Sequence, residues 1–212
     1  MALTTEAQML AITKKITKAD PAFKPIIARA PLCTIGRRRP KQGHYETLVD
    51  SIISQQLAIK AAETIFNRLK DLVDGEILPD KISQLSVNQL RAVGASGAKA
   101  KSIFELTEAA LSGELNFAKY PRMSNEEITA DLIKIWGIGR WTTEMFLMFH
   151  LGRLDVWPVL DLGVRRGWEK IHGLKSEIDP KKLDPIGEKF DGYQSIVAWY
   201  CWRALEKEPT QI

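Results

Sequence analysis

Cysteine is nearly absent from this 212-residue chain: Cys33 and Cys201 are its two thiols, far apart and in no Cys-x-x-Cys pair. That excludes a cysteine-rich zinc site, and an iron–sulfur cluster, which takes about four thiolates. Histidine is scarce too, and His44, His150 and His172 have no metal-ligand spacing, so each is expected to be structural or exposed. No run of about eighteen apolar residues occurs, so no membrane-spanning helix is expected. The N-terminus, MALTTEAQML, lacks the basic stretch and apolar core of a secretory leader. Few thiols and no leader suit an intracellular, reducing compartment: cytoplasm and nucleoid, or a nucleus.

What is present is ordinary for a soluble globular protein, with 45% hydrophobic and 26% charged residues. The length allows one large domain or two small interlocked ones. A net charge of +4 permits a polyanionic partner without demanding one. The charge is local in places, at Arg37, Arg38, Arg39 and Lys41 and again at Arg165 and Arg166. A basic run is more often a solvated face than a binding site.

Helical periodicity dominates. Tyr45, Leu48, Val49, Ile52, Ile53 and Leu57 form one stripe, and Ala61, Ala62, Ile65, Phe66, Leu69, Leu72 and Val73 a second. A third follows Lys99 through Ile103, Leu106, Ala110 and Leu111, with Gly113 as its stop. Ser124 and Glu127 have capping-box spacing for a helix through Ile128, Leu132 and Ile135. Strict polar–apolar alternation is missing, so the expected fold is all-α.

Residues 131–168 are the most informative. One helix ends near Trp136, Gly137-Ile138-Gly139 makes a tight turn, and a second helix runs from Trp141 to Phe149. Exposed amides beside a helix N-terminus can seat a phosphate oxygen, although Gly-Ile-Gly alone is compatible with an ordinary helical corner. After a proline-containing loop, Asp161 has the position of an N-cap, among the commonest structural uses of Asp.

Taken together these segments resemble the helix–hairpin–helix DNA glycosylase superfamily, and within it the 3-methyladenine DNA glycosylase II family. The resemblance rests on GIGRWT from Gly137 and VLDLGVRRG from Val159. It rests also on SIISQQLAIKAA from Ser51, GASGAKAKSI from Gly94 and YQSIVAWYCWR from Tyr193. Ordered motifs spread over roughly residues 45–205 are far more specific than any one alone. Departures are Ala58 in place of a capping Ser, Gln194 in place of an Arg, and Leu160 where an Asp can stand.

The resemblance implies two helical lobes with a lesion-binding cleft between them, in a minimal form without the N-terminal β-domain of some members. Residues 1–45 plus 170–212 would form one lobe and 46–169 the other, with the helix–hairpin–helix motif at about 124–150. Asp161 would be the catalytic carboxylate, stabilising the oxocarbenium-like sugar and orienting or deprotonating the attacking water. Trp141, Trp202, Trp199 and Tyr200 are the candidates for a base pocket, with Trp199 as core or rim. Aromatic faces suit a cationic base, at roughly 0.5–2 kcal/mol per ring. Gln56 or Leu57 would fill the gap left by the flipped base. Gly137, Ile138, Gly139, Arg140, Thr142, Arg165 and Arg166 would meet the DNA backbone. Main-chain carbonyls of Ile133, Ile135 and Ile138 would hold a structural Na⁺ or K⁺, with no other cofactor required.

Relatives that also cut the strand carry a Lys where Trp141 stands, so hydrolysis without lyase chemistry is expected. The expected partner is double-stranded DNA with alkylated purines, bound by a monomer, with no membrane. The alternatives are a bifunctional glycosylase/lyase and a non-catalytic helix–hairpin–helix DNA-binding module. The lesion stays open among 3-methyladenine, 7-methylguanine, ethenoadenine and hypoxanthine.

Overall fold

In the computed structural model, which describes residues 3–206, the apolar stripes become helices and no strand occurs among the described residues. The helices are α1 (Glu6–Ala19), α2 (Lys24–Arg29), α3 (His44–Ser54), α4 (Ile59–Leu72), α5 (Pro79–Ile82) and α6 (Val87–Ala92). They continue as α7 (Gly97–Ser112), α8 (Asn125–Leu132), α9 (Arg140–Met145), α10 (Leu162–His172), α11 (Pro180–Leu183) and α12 (Gln194–Leu205). None is long and apolar enough to cross a membrane.

By Cα proximity the chain divides into two compact units. Residues to Arg39 and from Leu147 onward form the first, and Pro40–Phe146 the second. The resemblance places residues 147–169 in the middle lobe; by Cα proximity they group with the terminal segments, and α10 packs extensively along α12. The stretch expected as one helix from Trp141 to Phe149 is α9 followed by a π-helical turn at Phe146–His150, where the units part.

In the first unit, Met9, Thr13 and Ile16 bury one face of α1, whose start is closed by a Thr5–Gln8 capping box. α12 is buried almost all round, from Ser195 through Cys201. In the second unit, α3 buries Tyr45, Leu48, Val49, Ile52 and Ile53, and α4 buries Ala62, Phe66 and Leu69. α7 adds Ala100, Ile103, Leu106 and Ala109 and stops at Gly113 in a left-handed conformation, as the sequence predicts. The Tyr45 hydroxyl reaches Thr107 Oγ1 at 2.6 Å, so the one polar tip on that α3 stripe is satisfied. The expected capping box opens α8: the Glu127 amide donates to Ser124 Oγ, and the Ser124 amide to Glu127 Oε2.

Two helices end sooner than their stripes suggest. α8 stops at Leu132, leaving Ile135 buried in the turn beyond. α3 stops at Ser54, so Gln56 and Leu57 lie in a loop and not on the helix stripe.

Candidate active site

The loop ahead of α10 is built to hold one carboxylate still. Ser195, at the start of α12, donates through its amide to Leu154 O at 2.9 Å, and its hydroxyl accepts from the Val156 amide at 3.0 Å. The indole N–H of Trp157 donates to Leu183 O at 3.2 Å, and the Asp161 amide closes a turn onto Pro158 O at 3.0 Å. Asp161 then caps α10, accepting the Val164 amide on Oδ1 at 2.7 Å. The same Oδ1 accepts the Trp202 indole N–H at 2.8 Å. The carboxylate is therefore oriented from its own helix and from α12 together. Gly163 makes room for this arrangement: a Cβ there would lie 2.7 Å from Trp202 Cδ1 and 3.0 Å from Asp161 Oδ1. Half-exposed Leu160 and Leu162 flank Asp161, and Phe149 stands against Trp202 at 5.7 Å.

The second unit, taken by itself, holds a hairpin, an exposed loop and a pocket. Ile135 and Ile138 are buried inside the hairpin, and the Ile138 amide donates to Ile135 O at 3.0 Å. Gly137 takes φ +85°, and a Cβ there would come within 2.1 Å of Ser102 Oγ. Gly139 does not share that need. Its φ is −94° and an added Cβ would meet nothing within 4 Å, so only Gly137 needs the backbone freedom of glycine in this turn. Glu105 Oε2 accepts the Trp136 amide at 2.9 Å, and Lys101 Nζ lies 4.5 Å over the Trp136 ring.

The start of the loop between α3 and α4 is pinned by two side chains. Lys99 Nζ donates to Ile53 O at 2.7 Å, and Gln55 Nε2 donates to Gly137 O at 2.9 Å. Burial lowers the Lys99 pKa. Just past these anchors Gln56 adopts φ 56°, a left-handed conformation that a non-glycine residue reaches only at a cost of order 1–3 kcal/mol. Gln56, Leu57 and Ile59 are exposed, Ile59 at 78%. Neither Lys99 nor Gln55 is singled out by the sequence pattern as a support; both lie inside the motifs from Ser51 and Gly94. A pocket of about 260 Å³ adjoins this loop, lined by Gln55, Gln56, Ser51, Asp50, Trp141 and Met145 among others.

The remaining expected residues are aromatic, cationic or, in Thr142 and His172, polar side chains with internal partners. Trp141 is 49% exposed and faces the pocket, whereas Trp199 and Tyr200 are buried in the first unit, Tyr200 at 1%. Burial pushes the Tyr200 phenol above its ordinary range, and that ring is core; Trp199, although 4% exposed, also edges a separate cavity with Glu6, Thr34, Arg37 and Arg38. Trp199 also stacks beneath Arg203 at 5.0 Å. Among the cations, Arg166 is engaged by Glu169 at 3.3 Å and by Glu177, and Arg140 pairs with Glu144 at 2.9 Å. Arg165 is half-buried one turn from Asp161. Thr142 is buried, its hydroxyl accepting from Gln55 at 3.4 Å, which leaves no exposed hydroxyl for a phosphate. His172 bridges Trp168 O and Asp20 Oδ2, each at 2.9 Å, and stacks on Trp168, a packing role.

Residues 49–190 match the model of a family described as HhH-GPD superfamily base excision DNA repair protein. DNA-3-methyladenine glycosylase 1 of Schizosaccharomyces pombe is 37% identical over 177 residues, covering 80% of this chain and 78% of the relative. The structure resembles a DNA-3-methyladenine glycosidase from Bacillus halodurans, with a TM-score of 0.83 and 34% identity over 92% of this chain and 89% of that one. It also resembles the Schizosaccharomyces pombe 3-methyladenine DNA glycosylase (Mag1) in complex with abasic DNA, with a TM-score of 0.77 and 32% identity, covering 95% of this chain and 100% of that one. The chain belongs to the HhH-GPD superfamily of base excision DNA repair proteins.

Proposed function

We propose that this protein hydrolyses the N-glycosidic bond of alkylated purines in duplex DNA, as a monomer, leaving an intact strand with an abasic site. The single observation that carries this reading is the oriented carboxylate of Asp161, held on one oxygen by the Val164 amide and the Trp202 indole. Breaking the bond at deoxyribose C1′ develops positive charge on the sugar, and a preoriented carboxylate stabilises it without reorganisation. The same group can orient or deprotonate the attacking water. A purine alkylated at N3 or N7 is cationic and departs as a neutral base, so little acid assistance is needed. The printed names of the relatives, 3-methyladenine glycosylases, support alkylated purines as the substrate class.

The second unit supports binding and extrusion of the base. The reaction requires the base to leave the stack. Exposed Gln56 and Leu57, on a loop braced by Lys99 and Gln55, are suited to fill the gap. Trp141 offers a flat aromatic face to an electron-poor base. It offers no amine, which favours water over a protein nucleophile. Gly137, Gly139 and Arg140 are the exposed hairpin groups suited to phosphate, and Arg165 is the basic side chain near the carboxylate. The turn carbonyls of Ile133, Ile135 and Ile138 are an all-oxygen, uncharged donor set of the kind that suits Na⁺ or K⁺. Ile135 O already accepts one amide but keeps a second lone pair. A cation there would lend positive charge to the phosphate-facing turn.

A panel of duplexes, each carrying one 3-methyladenine, 7-methylguanine, ethenoadenine or hypoxanthine, tests the proposal. Release of free alkylpurine is expected. Tight binding without release of any of them would favour a non-catalytic DNA-binding module instead.

A further inference from the structure

The pocket beside Trp141 contains a carboxylate that the excision chemistry does not use. Asp50 lies on α3, one turn before the helix ends, and lines the pocket together with Trp141, Met145, Ser51 and Gln55. Its position is fixed: Ser54 Oγ donates to Oδ1 at 3.4 Å and the Gln42 side chain donates as well. Among the described residues no Lys, Arg or His lines the pocket. Two acidic groups act on Asp50, Glu63 and Glu46, the latter paired with Lys70 at 3.0 Å. Burial raises the Asp50 pKa, so the site pays a small electrostatic penalty to keep a carboxylate there. An uncompensated acid beside an exposed aromatic face suits a ligand that is flat and positively charged.

We infer that Asp50 is a specificity-determining residue of the base pocket, selecting with Trp141 for alkylated bases that carry a positive charge over neutral bases of the same shape. The inference rests on the proposed glycosylase activity and deepens it. The charge logic also says where the effect must appear. A cationic base becomes neutral as its bond to the sugar breaks, so attraction to Asp50 is strongest before the reaction and fades in the transition state. Asp50 therefore aids capture of the base and does not speed bond cleavage.

The test uses the full chain and two duplexes. One carries 7-methylguanine, which is cationic; the other carries 7-methyl-7-deazaguanine, of the same outline but uncharged and resistant to excision. Asp50→Asn keeps the shape and removes the charge. In single-turnover excision of 7-methylguanine the half-saturating enzyme concentration is expected to rise about threefold to tenfold, the range for a partly exposed charge pair. The maximal rate is expected to be unchanged or higher, and affinity for the neutral duplex to stay within about twofold. Asp50→Ser, which removes the charge without adding an amide, should give the same shift. Equal weakening on both duplexes, no change on either, or a slower maximal rate with unchanged saturation would overturn the inference. Failure of the unaltered protein to release any alkylpurine would instead overturn the glycosylase reading, and is read without any variant.

Discussion

In the first unit the side chain proposed to face the sugar is held from two sides, whereas in the second the groups proposed to meet the duplex stand out from their supports. Asp161 receives two donors on one oxygen and sits on a loop tied to α12 by Ser195. Gln56 carries left-handed backbone on an exposed loop, beside Leu57 and Ile59, while Trp141 is half-exposed. The contrast follows from what each must do. A carboxylate that stabilises developing charge is most effective when nothing has to move during the reaction. Groups that enter a duplex must stay accessible to it, and their exposed apolar surface is the cost.

Variants that break this contrast should differ in kind as well as size. The largest effect belongs to Asp161→Asn, nearly isosteric but uncharged. Excision should fall by about a thousandfold or more while the fold and lesion-DNA affinity remain; single-turnover rates and equilibrium binding on the same duplex check both halves. Next comes Trp202→Phe, which keeps the ring and deletes the N–H donor to Oδ1. A hydrogen bond to a charged group contributes about 1.5–3 kcal/mol, so excision should drop about tenfold to a hundredfold with binding little altered. An unchanged rate would mean that the Val164 amide orients the carboxylate unaided.

The hairpin glycines separate support from contact. Gly137→Ala meets both unfavourable φ and Ser102, and thermal melting should register a loss of about 1–2 kcal/mol or more. Gly139→Ala should melt like the parent, because its backbone and surroundings accept a methyl group. Any weakening of DNA binding by that variant should be similar for damaged and undamaged duplex, since phosphate contacts position without specifying. The smallest effect is a gain. Ala58 is the N-cap of α4 and provides no side-chain acceptor, at φ −66° and ψ 145° that suit a serine. Ala58→Ser should add about 0.5–1 kcal/mol of stability, read as a rise in melting temperature.

Much of the fold was legible because local rules and tertiary packing agree. The α3 stripe of Leu48, Val49, Ile52 and Ile53, the Ser124–Glu127 box and the Asp161 cap all appear in place. The misses arise where distant contacts decide. The stripe pattern runs α3 on to Leu57, but Lys99 takes the Ile53 carbonyl and Gln56 turns left-handed, ending the helix early. The aromatic run on α12 does not reveal which ring points where. Successive residues turn by about 100°, so Trp199 and Tyr200 enter the core while Trp202 reaches Asp161, separated from it by 41 residues. The division of the units at residues 146 and 147 follows from helix packing that no local signal encodes. Asp50, on the polar face of α3 with Thr47, Ser51 and Ser54, was equally silent, since its meaning depends on the pocket around it.

The central claim is that water, directed by Asp161, breaks the glycosidic bond with no protein amine involved. Incubating the protein with a duplex carrying a single 7-methylguanine, with and without borohydride, tests it most directly. Lys99 is the lysine to watch, since burial lowers its pKa and it braces the loop beside the pocket; Lys134, paired with Asp131, and Lys170, in the last turn of α10, are the lysines nearest the motif. Release of free 7-methylguanine, an uncut strand carrying an abasic site and no trapped adduct is the expected result. A covalent protein–DNA complex that disappears on replacing Lys99, Lys134 or Lys170 would contradict it.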